Sequence, residues 1–297
     1  MQGLLRRLRW CGEYTVFAGT MLILRNLPYR AALWVGRCLG RLAFSCLGRR
    51  RSITQTNLGR ILGDSIPSQK HRQIAIGSFE NLGMLLVDFS RFPRLRKNSL
   101  DEFVEVQGLD NLEEAAGSGR GVLCLGAHFG SFELMSFSLA LHGHPLSFIV
   151  RPLDNPYLDR LVKRYREASG NRTIPKKEAV REMVASLKRG GIVGILIDQH
   201  AAPESGVFVD LMGTKTWTSS TLATIAIRSR IPVIPVVIER KEDCSGHVLT
   251  IEPPVTLLET GDKRKDVEEN TLVFNRILGR WVNKRPELWL WCHRRWR

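Results

Sequence analysis

In the run Gly126-Ala-His-Phe-Gly-Ser-Phe-Glu133, a histidine and a carboxylic acid stand five positions apart. Imidazole titrates near neutrality, so a positioned histidine can take a proton from a weak acid such as an alcohol. A nearby carboxylate orients the ring and stabilises its charged form. The apolar segment Val122 to Leu125 reads as a buried strand. Gly130 and Ser131 offer a turn and a helix N-cap, and Leu134, Met135, Phe137 and Leu141 continue at helical spacing. His128 therefore leaves a strand end, and Glu133 enters the first turn of the helix behind it. The same pair also fits a bland role, a hydrogen-bonded strand-end histidine and an acid complementing the helix dipole. Two features favour chemistry. Glycine at 126 and 130 permits close backbone approach, and no serine or cysteine nucleophile motif competes, a Gly-x-Ser-x-Gly elbow being absent.

The elements around this run alternate. Strands are expected at Val104–Val106, Gly121–Leu125, Ser147–Val150, Ile192–Ile197, Val233–Ile238 and Val248–Ile251. Helices are expected at Leu109–Gly117, Ser131–Leu141, Tyr157–Ser169, Lys177–Lys188, Ser219–Arg228 and Asp266–Asn283. Short apolar runs alternating with helices predict an α/β fold, a mostly parallel sheet flanked by helices, with the site beyond the carboxyl ends of the strands. His128 follows one such end, Arg151 a second and Asp198-Gln-His200 a third, so three distant regions converge on one edge. Asp198 also fits a capping or turn role. Arg160, Arg164 and Arg166 lie on the helix after Arg151-Pro152. Arg160 and Arg164 share a face and suit either a phosphate group or plain solvation. Gly117-Ser-Gly-Arg-Gly121 precedes a strand instead of following one, so it reads as a turn and not a phosphate loop.

The chain has 297 residues, 43% of them hydrophobic, enough to bury a full core. Its charge is unusual: 44 Lys and Arg against 29 Asp and Glu give +15, which favours anionic partners such as nucleic acid, anionic headgroups or an acidic carrier protein. The six cysteines are scattered without metal-ligand spacing, and His142-x-His144 lacks a companion ligand, so neither a metal nor another cofactor is expected. Residues 1–98 read as an N-terminal helical, membrane-associated region and residues 99–297 as the α/β domain. In the first, Tyr14 to Leu24 is too short an apolar run to span a bilayer, which needs ~20 residues. Leu33, Trp34, Leu39, Leu42, Ala43 and Phe44 keep helical spacing apart from Arg37 and Arg41, the pattern of a helix lying in an anionic membrane surface. A single tilted pass, or a basic helix packed on the protein's own core, fits the same residues. A further helix is expected over 68–89, with Ile74, Phe79, Leu82, Leu85 and Leu86 at core-like spacing. The C-terminal Trp289-Leu-Trp-Cys-His-Arg-Arg-Trp-Arg297 mixes aromatics with arginines, suiting nucleobase stacking or a lipid–water boundary.

Taken together, Gly126-Ala-His-Phe-Gly-Ser-Phe-Glu133, Arg151-Pro-Leu-Asp-Asn-Pro156, Asp198-Gln199, Gly206-Val-Phe-Val-Asp210 and Pro286-Glu-Leu-Trp-Leu-Trp-Cys-His-Arg-Arg-Trp296 resemble the bacterial lipid A late acyltransferases, the lauroyl/myristoyl acyltransferase family. The resemblance spans nearly the whole chain. It implies a glycerolipid-acyltransferase-like fold and transfer of a fatty acyl chain from acyl carrier protein to a hydroxyl of a phosphorylated glycolipid, at the cytoplasmic face of the inner membrane. It places the family's histidine and acid on His128 and Glu133, its helix arginine on Arg164 or Arg166, with Arg164 preferred, and its strand-end aspartate on Asp198. Arg151, Arg164, Arg166 and Asp198 are then expected to bind substrate. The stretch Ala201-Ala-Pro203 departs from the more acidic or glycine-rich sequence of many members, which leaves the acceptor open. Other acceptors stand second: a lysophospholipid, an ornithine lipid or another glycolipid. Thioester hydrolysis is disfavoured by the missing elbow. Nucleic-acid binding, which explains neither His128 with Glu133 nor the amphipathic N-terminus, stands far behind.

Overall fold

The computed structural model describes residues 2–63, 66–175 and 179–296. Four helices come first: α1 (Gln2–Asn26), α2 (Tyr29–Cys46), α3 (Gly48–Leu62) and α4 (Ser68–Arg91), followed by the short α5 (Lys97–Asp101). The alternating part then runs β1 (Val104–Gln107), α6 (Leu109–Gly117), β2 (Val122–Gly126), α7 (Phe132–Leu141), β3 (Leu146–Val150), α8 (Pro156–Glu167), β4 (Arg172–Pro175), α9 (Ala179–Lys188) and β5 (Ile192–Leu196). A hairpin, β6 (Gly206–Leu211) and β7 (Thr214–Ser219), precedes α10 (Thr221–Ser229), β8 (Val233–Arg240), β9 (His247–Ile251) and α11 (Lys263–Lys284). All six expected strands and all six expected helices of this half are present. The first residues of the expected helix at 177–188, Lys177 and Glu178, lie outside the described residues, as do Met1 and Arg297.

The seven-stranded sheet has the order β1-β9-β8-β2-β5-β3-β4. Strands β8, β2, β5, β3 and β4 are mutually parallel, while β9 runs against β8 and β1 follows β9. Every residue of β2 is buried, as a strand covered on both faces must be. Its side chains feed two cores in alternation. Val122 and Cys124 join Leu134, Phe137 and Tyr165 on the side of α7 and α8, whereas Leu123 and Leu125 join Met183, Leu222, Ala226 and Phe274 on the side of α9, α10 and α11.

A third apolar cluster lies at the carboxyl edge. Phe44, Phe79, Ala127 and Phe129 pack there with Trp281, Trp289, Trp291 and Trp296. The C-terminal tryptophans are thus interior: Trp289, Trp291 and Trp296 are 2%, 1% and 7% exposed. The expectation of a surface aromatic patch for nucleobases or the lipid boundary is corrected, because these rings fill the space beneath α3 and α4.

Helices α2 and α4 approach closely because glycine faces glycine. A Cβ on Gly83 would lie 1.9 Å from the Gly36 carbonyl oxygen, and one on Gly40 2.3 Å from that of Phe79. On α4, Ile74 and Phe79 are buried as expected, while Leu82, Leu85 and Leu86 are only partly covered; Leu82 and Leu86 line a groove, Leu86 while also packing against the core. On the outer side, Leu4, Leu5, Leu8, Val16, Leu22 and Ile23 of α1 and Trp34 and Leu42 of α2 are exposed. Among the described residues no helix is long and apolar enough to cross a membrane.

Candidate active site

The parallel pairing of β2 with β5 sets Gly126 level with Leu196. Two residues beyond each strand stand His128 and Asp198, so the register itself brings them side by side. The His128 Nδ1–H donates to Asp198 Oδ1 at 2.8 Å, and the His128 backbone N–H also stabilises that carboxylate. The second oxygen, Oδ2, accepts the Trp289 indole N–H at 2.9 Å. Asp198 is 3% exposed. Burial works against its charge, but the imidazole beside it and the Trp289 bond hold its carboxyl well below the usual range. Burial also works against a charge on the ring. The Asp198 carboxylate, with the Glu133 charge behind it, outweighs this and raises the His128 pKa above its ordinary value.

Backbone geometry fixes the ring's approach. Gly130 has φ of +57°, and a Cβ there would fall 2.0 Å from the Ile238 carbonyl oxygen, so only glycine turns the chain here. The C-terminal segment straps this turn down: Gly130 N–H donates to Leu288 O at 2.9 Å and Leu290 N–H to His128 O at 3.1 Å. Asn81 of α4 donates to the Gly130 and Leu288 carbonyls at 3.3 and 3.1 Å. Ser131 donates to buried Asp88 Oδ2 at 2.7 Å. Asp88 in turn is paired with Arg240 at 2.5 Å and faces His247 Nε2 at 3.3 Å.

Glu133 points inward from the first turn of α7 and is 8% exposed. Its partner is not the imidazole. Arg166 of α8 grips it with two nitrogens, Nη2 to Oε1 at 2.5 Å and Nε to Oε2 at 3.0 Å, a charge-assisted fork. The expectation that Glu133 holds the ring tautomer is corrected: Asp198 occupies Nδ1, and Glu133 acts on the ring only through its charge. The guanidinium of Arg166, expected to bind substrate, is paired here with Glu133. Burial disfavours its charge, and the Glu133 bond overcomes this and raises its pKa. Arg164 is exposed on the outer side of α8, and Arg151 is exposed with only a loose pairing to Asp154 at 3.6 Å. Arg151 shares the carboxyl edge with His128 but does not touch it.

Beside the dyad lies an apolar groove of about 1110 Å³. Gly12, Val16, Phe17 and Thr20 of α1 form one wall and Leu39, Gly40, Ala43 and Leu47 the other, with Phe79, Leu82, Gly83 and Leu86 of α4 between them. One end is closed by Gln199, Leu290, Cys292 and His293, and the Gln199 amide meets His128 Nε2 at 3.3 Å. The titratable base therefore lies next to a greasy channel, one residue back from its wall. Cys124 offers no competing nucleophile, for burial pushes its thiol up to about 12. Among the described residues, no group of three His, Cys, Asp or Glu is placed to hold a metal ion.

Three site residues escaped the reading of the sequence: Trp289 and Asp88 as clamps, and Gln199 as a neighbour of the base. The signal for Trp289 was its place in a motif, with no hint of its target.

The family model for bacterial lipid A biosynthesis acyltransferases matches residues 2–297. A lipid A biosynthesis lauroyltransferase of Escherichia coli (strain K12) is 28% identical, over 98% of this chain and 91% of its own length. A lipid A biosynthesis palmitoleoyltransferase of the same strain is 28% identical, over 94% and 89%. A phosphatidylinositol mannoside acyltransferase of Mycolicibacterium smegmatis is 25% identical, over 61% and 60%.

Proposed function

Because the chain belongs to the bacterial lipid A biosynthesis acyltransferase family, we propose that it carries a fatty acyl chain from acyl carrier protein to a hydroxyl of a lipid A-type glycolipid, with His128 as general base. The observation that carries this reading is a single geometry. The ring is held by Asp198 at Nδ1, so its Nε2 is an acceptor, met at 3.3 Å by the amide of Gln199, which lines an apolar groove of about 1110 Å³.

The step follows from those groups. The acceptor O–H gives its proton to Nε2 while its oxygen attacks the thioester carbonyl carbon. A C–O bond forms and the carbonyl pair moves onto oxygen. Collapse breaks the C–S bond, and the imidazolium returns the proton to the departing sulfur. Asp198 stabilises the transient imidazolium as the acid of the hydrolase triads does. The Glu133–Arg166 pair anchors α7 to α8 behind the ring, and the Glu133 charge adds to the same stabilisation. No covalent acyl-enzyme is needed.

The outer surface suits the substrates. Exposed leucines, Trp34 and a set of arginines on α1 and α2 form a face that lies in an anionic bilayer, the cytoplasmic side of the inner membrane, beside the groove. The +15 charge draws both an acidic carrier protein and a phosphorylated acceptor; Arg151 and Arg164, exposed and free of tight partners, are placed to meet them. The mannoside relative keeps a second acceptor class, another membrane glycolipid, in view.

The test is product mass spectrometry with purified protein in anionic vesicles, an acyl carrier protein thioester and a phosphorylated lipid A-type acceptor. One added acyl chain on that acceptor, formed more slowly as salt is raised, is the expected result. Acylation of other glycolipids or lysophospholipids alone would move the acceptor, and no ester product at all would end the reading.

A further inference from the structure

We propose that Gln199 is a catalytic residue: its side-chain amide caps the His128 Nε2 lone pair until the acceptor hydroxyl displaces it, and then donates to the thioester carbonyl oxygen as that atom becomes an oxyanion. This rests on the reading of His128 as the base.

The polarity of the contact is dictated by the dyad. With the Nδ1 proton given to Asp198, Nε2 is an acceptor, so the group 3.3 Å from it must be the NH2 of the Gln199 amide, donating. At that length the bond is weak and readily exchanged for an O–H donor. Gln199 also contributes to the lining of the groove.

The backbone on either side is pinned while the side chain is not. Ile197 N–H donates to Gly126 O at 3.3 Å, His200 N–H to His293 Nε2 at 3.0 Å and Ala201 N–H to Trp217 O at 3.1 Å. Asp198 is buried, yet Gln199 is exposed, and among the described residues its amide makes one hydrogen bond, to His128. A donor carried on a pinned loop, bonded only to the base it would leave, lies within side-chain reach of the charge that develops on the carbonyl beside the attacking oxygen. The neighbouring guanidiniums are occupied: Arg166 by Glu133, and Arg295 by Trp217 O and Thr218 Oγ1.

In the step itself, the hydroxyl oxygen takes the position facing Nε2 and passes its proton to it. As the C–O bond forms, the carbonyl π pair moves onto oxygen, and the freed Gln199 N–H donates there. When the pair returns and the C–S bond breaks, the amide is released to the ring.

The experiment is steady-state acyl transfer by Gln199→Ala, Gln199→Glu and His128→Ala in the full chain, each checked by circular dichroism. Gln199→Ala should lose about 10²–10³ in kcat with KM within a few-fold of wild type, the mark of an interaction made in the transition state. Gln199→Glu, isosteric but without a donor, should lose as much, and its acid limb should move to higher pH because a carboxylate beside Nε2 favours the imidazolium. If Gln199→Ala keeps wild-type kcat while His128→Ala is inactive, Gln199 is a bystander and the base assignment survives. If His128→Ala is itself active, both fail together.

Discussion

At the scale of single residues, the site is a histidine whose two nitrogens face opposite worlds. Nδ1 meets a buried carboxylate and Nε2 meets the amide of Gln199, a residue that lines an apolar groove. Sequence proximity suggested Glu133 as the acid; the folded chain supplies Asp198, seventy positions away. That choice was hidden because it depends on which strands are neighbours. Once β2 and β5 are paired with Gly126 opposite Leu196, positions 128 and 198 fall level without further information. Asp198 is expected to govern the pH dependence. A raised imidazole pKa means that the neutral, basic form is lost as pH falls through a value above that of a free histidine, so wild-type activity should decline early on the acid side. Asp198→Asn removes the charge that raises it. In a pH–rate profile its limb should shift to lower pH while the plateau drops by up to about 10⁴ through loss of the correct tautomer. An unshifted limb would separate Asp198 from the titrating group.

Among the elements, the C-terminal segment is the one whose role most outgrew its sequence. Read alone, its tryptophans and arginines look like a binding surface. In place, they form a strap: Asn57 donates to the Trp291 and His293 carbonyls at 2.8 and 2.7 Å, Trp289 bonds Asp198, and Leu290 bonds the His128 carbonyl. Composition cannot tell an aromatic that faces solvent from one that fills a core. The alternating strands and helices were legible because runs such as Val122–Gly126 are apolar throughout. The hairpin of β6 and β7 was not, since its turn is Met212-Gly213 with both φ values positive, a backbone usually announced by Asn-Gly. The helix pair α2–α4 yields a direct prediction. Gly83→Ala should lower stability by about 1–3 kcal/mol through overpacking against Gly36. Gly59→Ala on α3, with open space around it, should instead gain up to about 1 kcal/mol from helix propensity. Thermal or denaturant unfolding in detergent reads both, and equal effects would contradict the close approach.

Across the whole molecule, the pieces agree on one direction of approach. Helices α1, α2 and α4 build the groove, α1 and α2 present exposed apolar residues among arginines, and the sheet's carboxyl edge sets the base behind Gln199 of the groove's lining. The charge and the amphipathic N-terminus were visible in the sequence; the groove was not, because Leu82 and Leu86 have the spacing of core residues and differ only in what faces them. The measurement that bears most directly on the account is the turnover of His128→Ala in vesicles, with its fold verified and the same acyl donor and glycolipid acceptor as wild type. A fall in kcat of about two to four orders of magnitude is the predicted result. A variant that transfers acyl chains at the wild-type rate would contradict it.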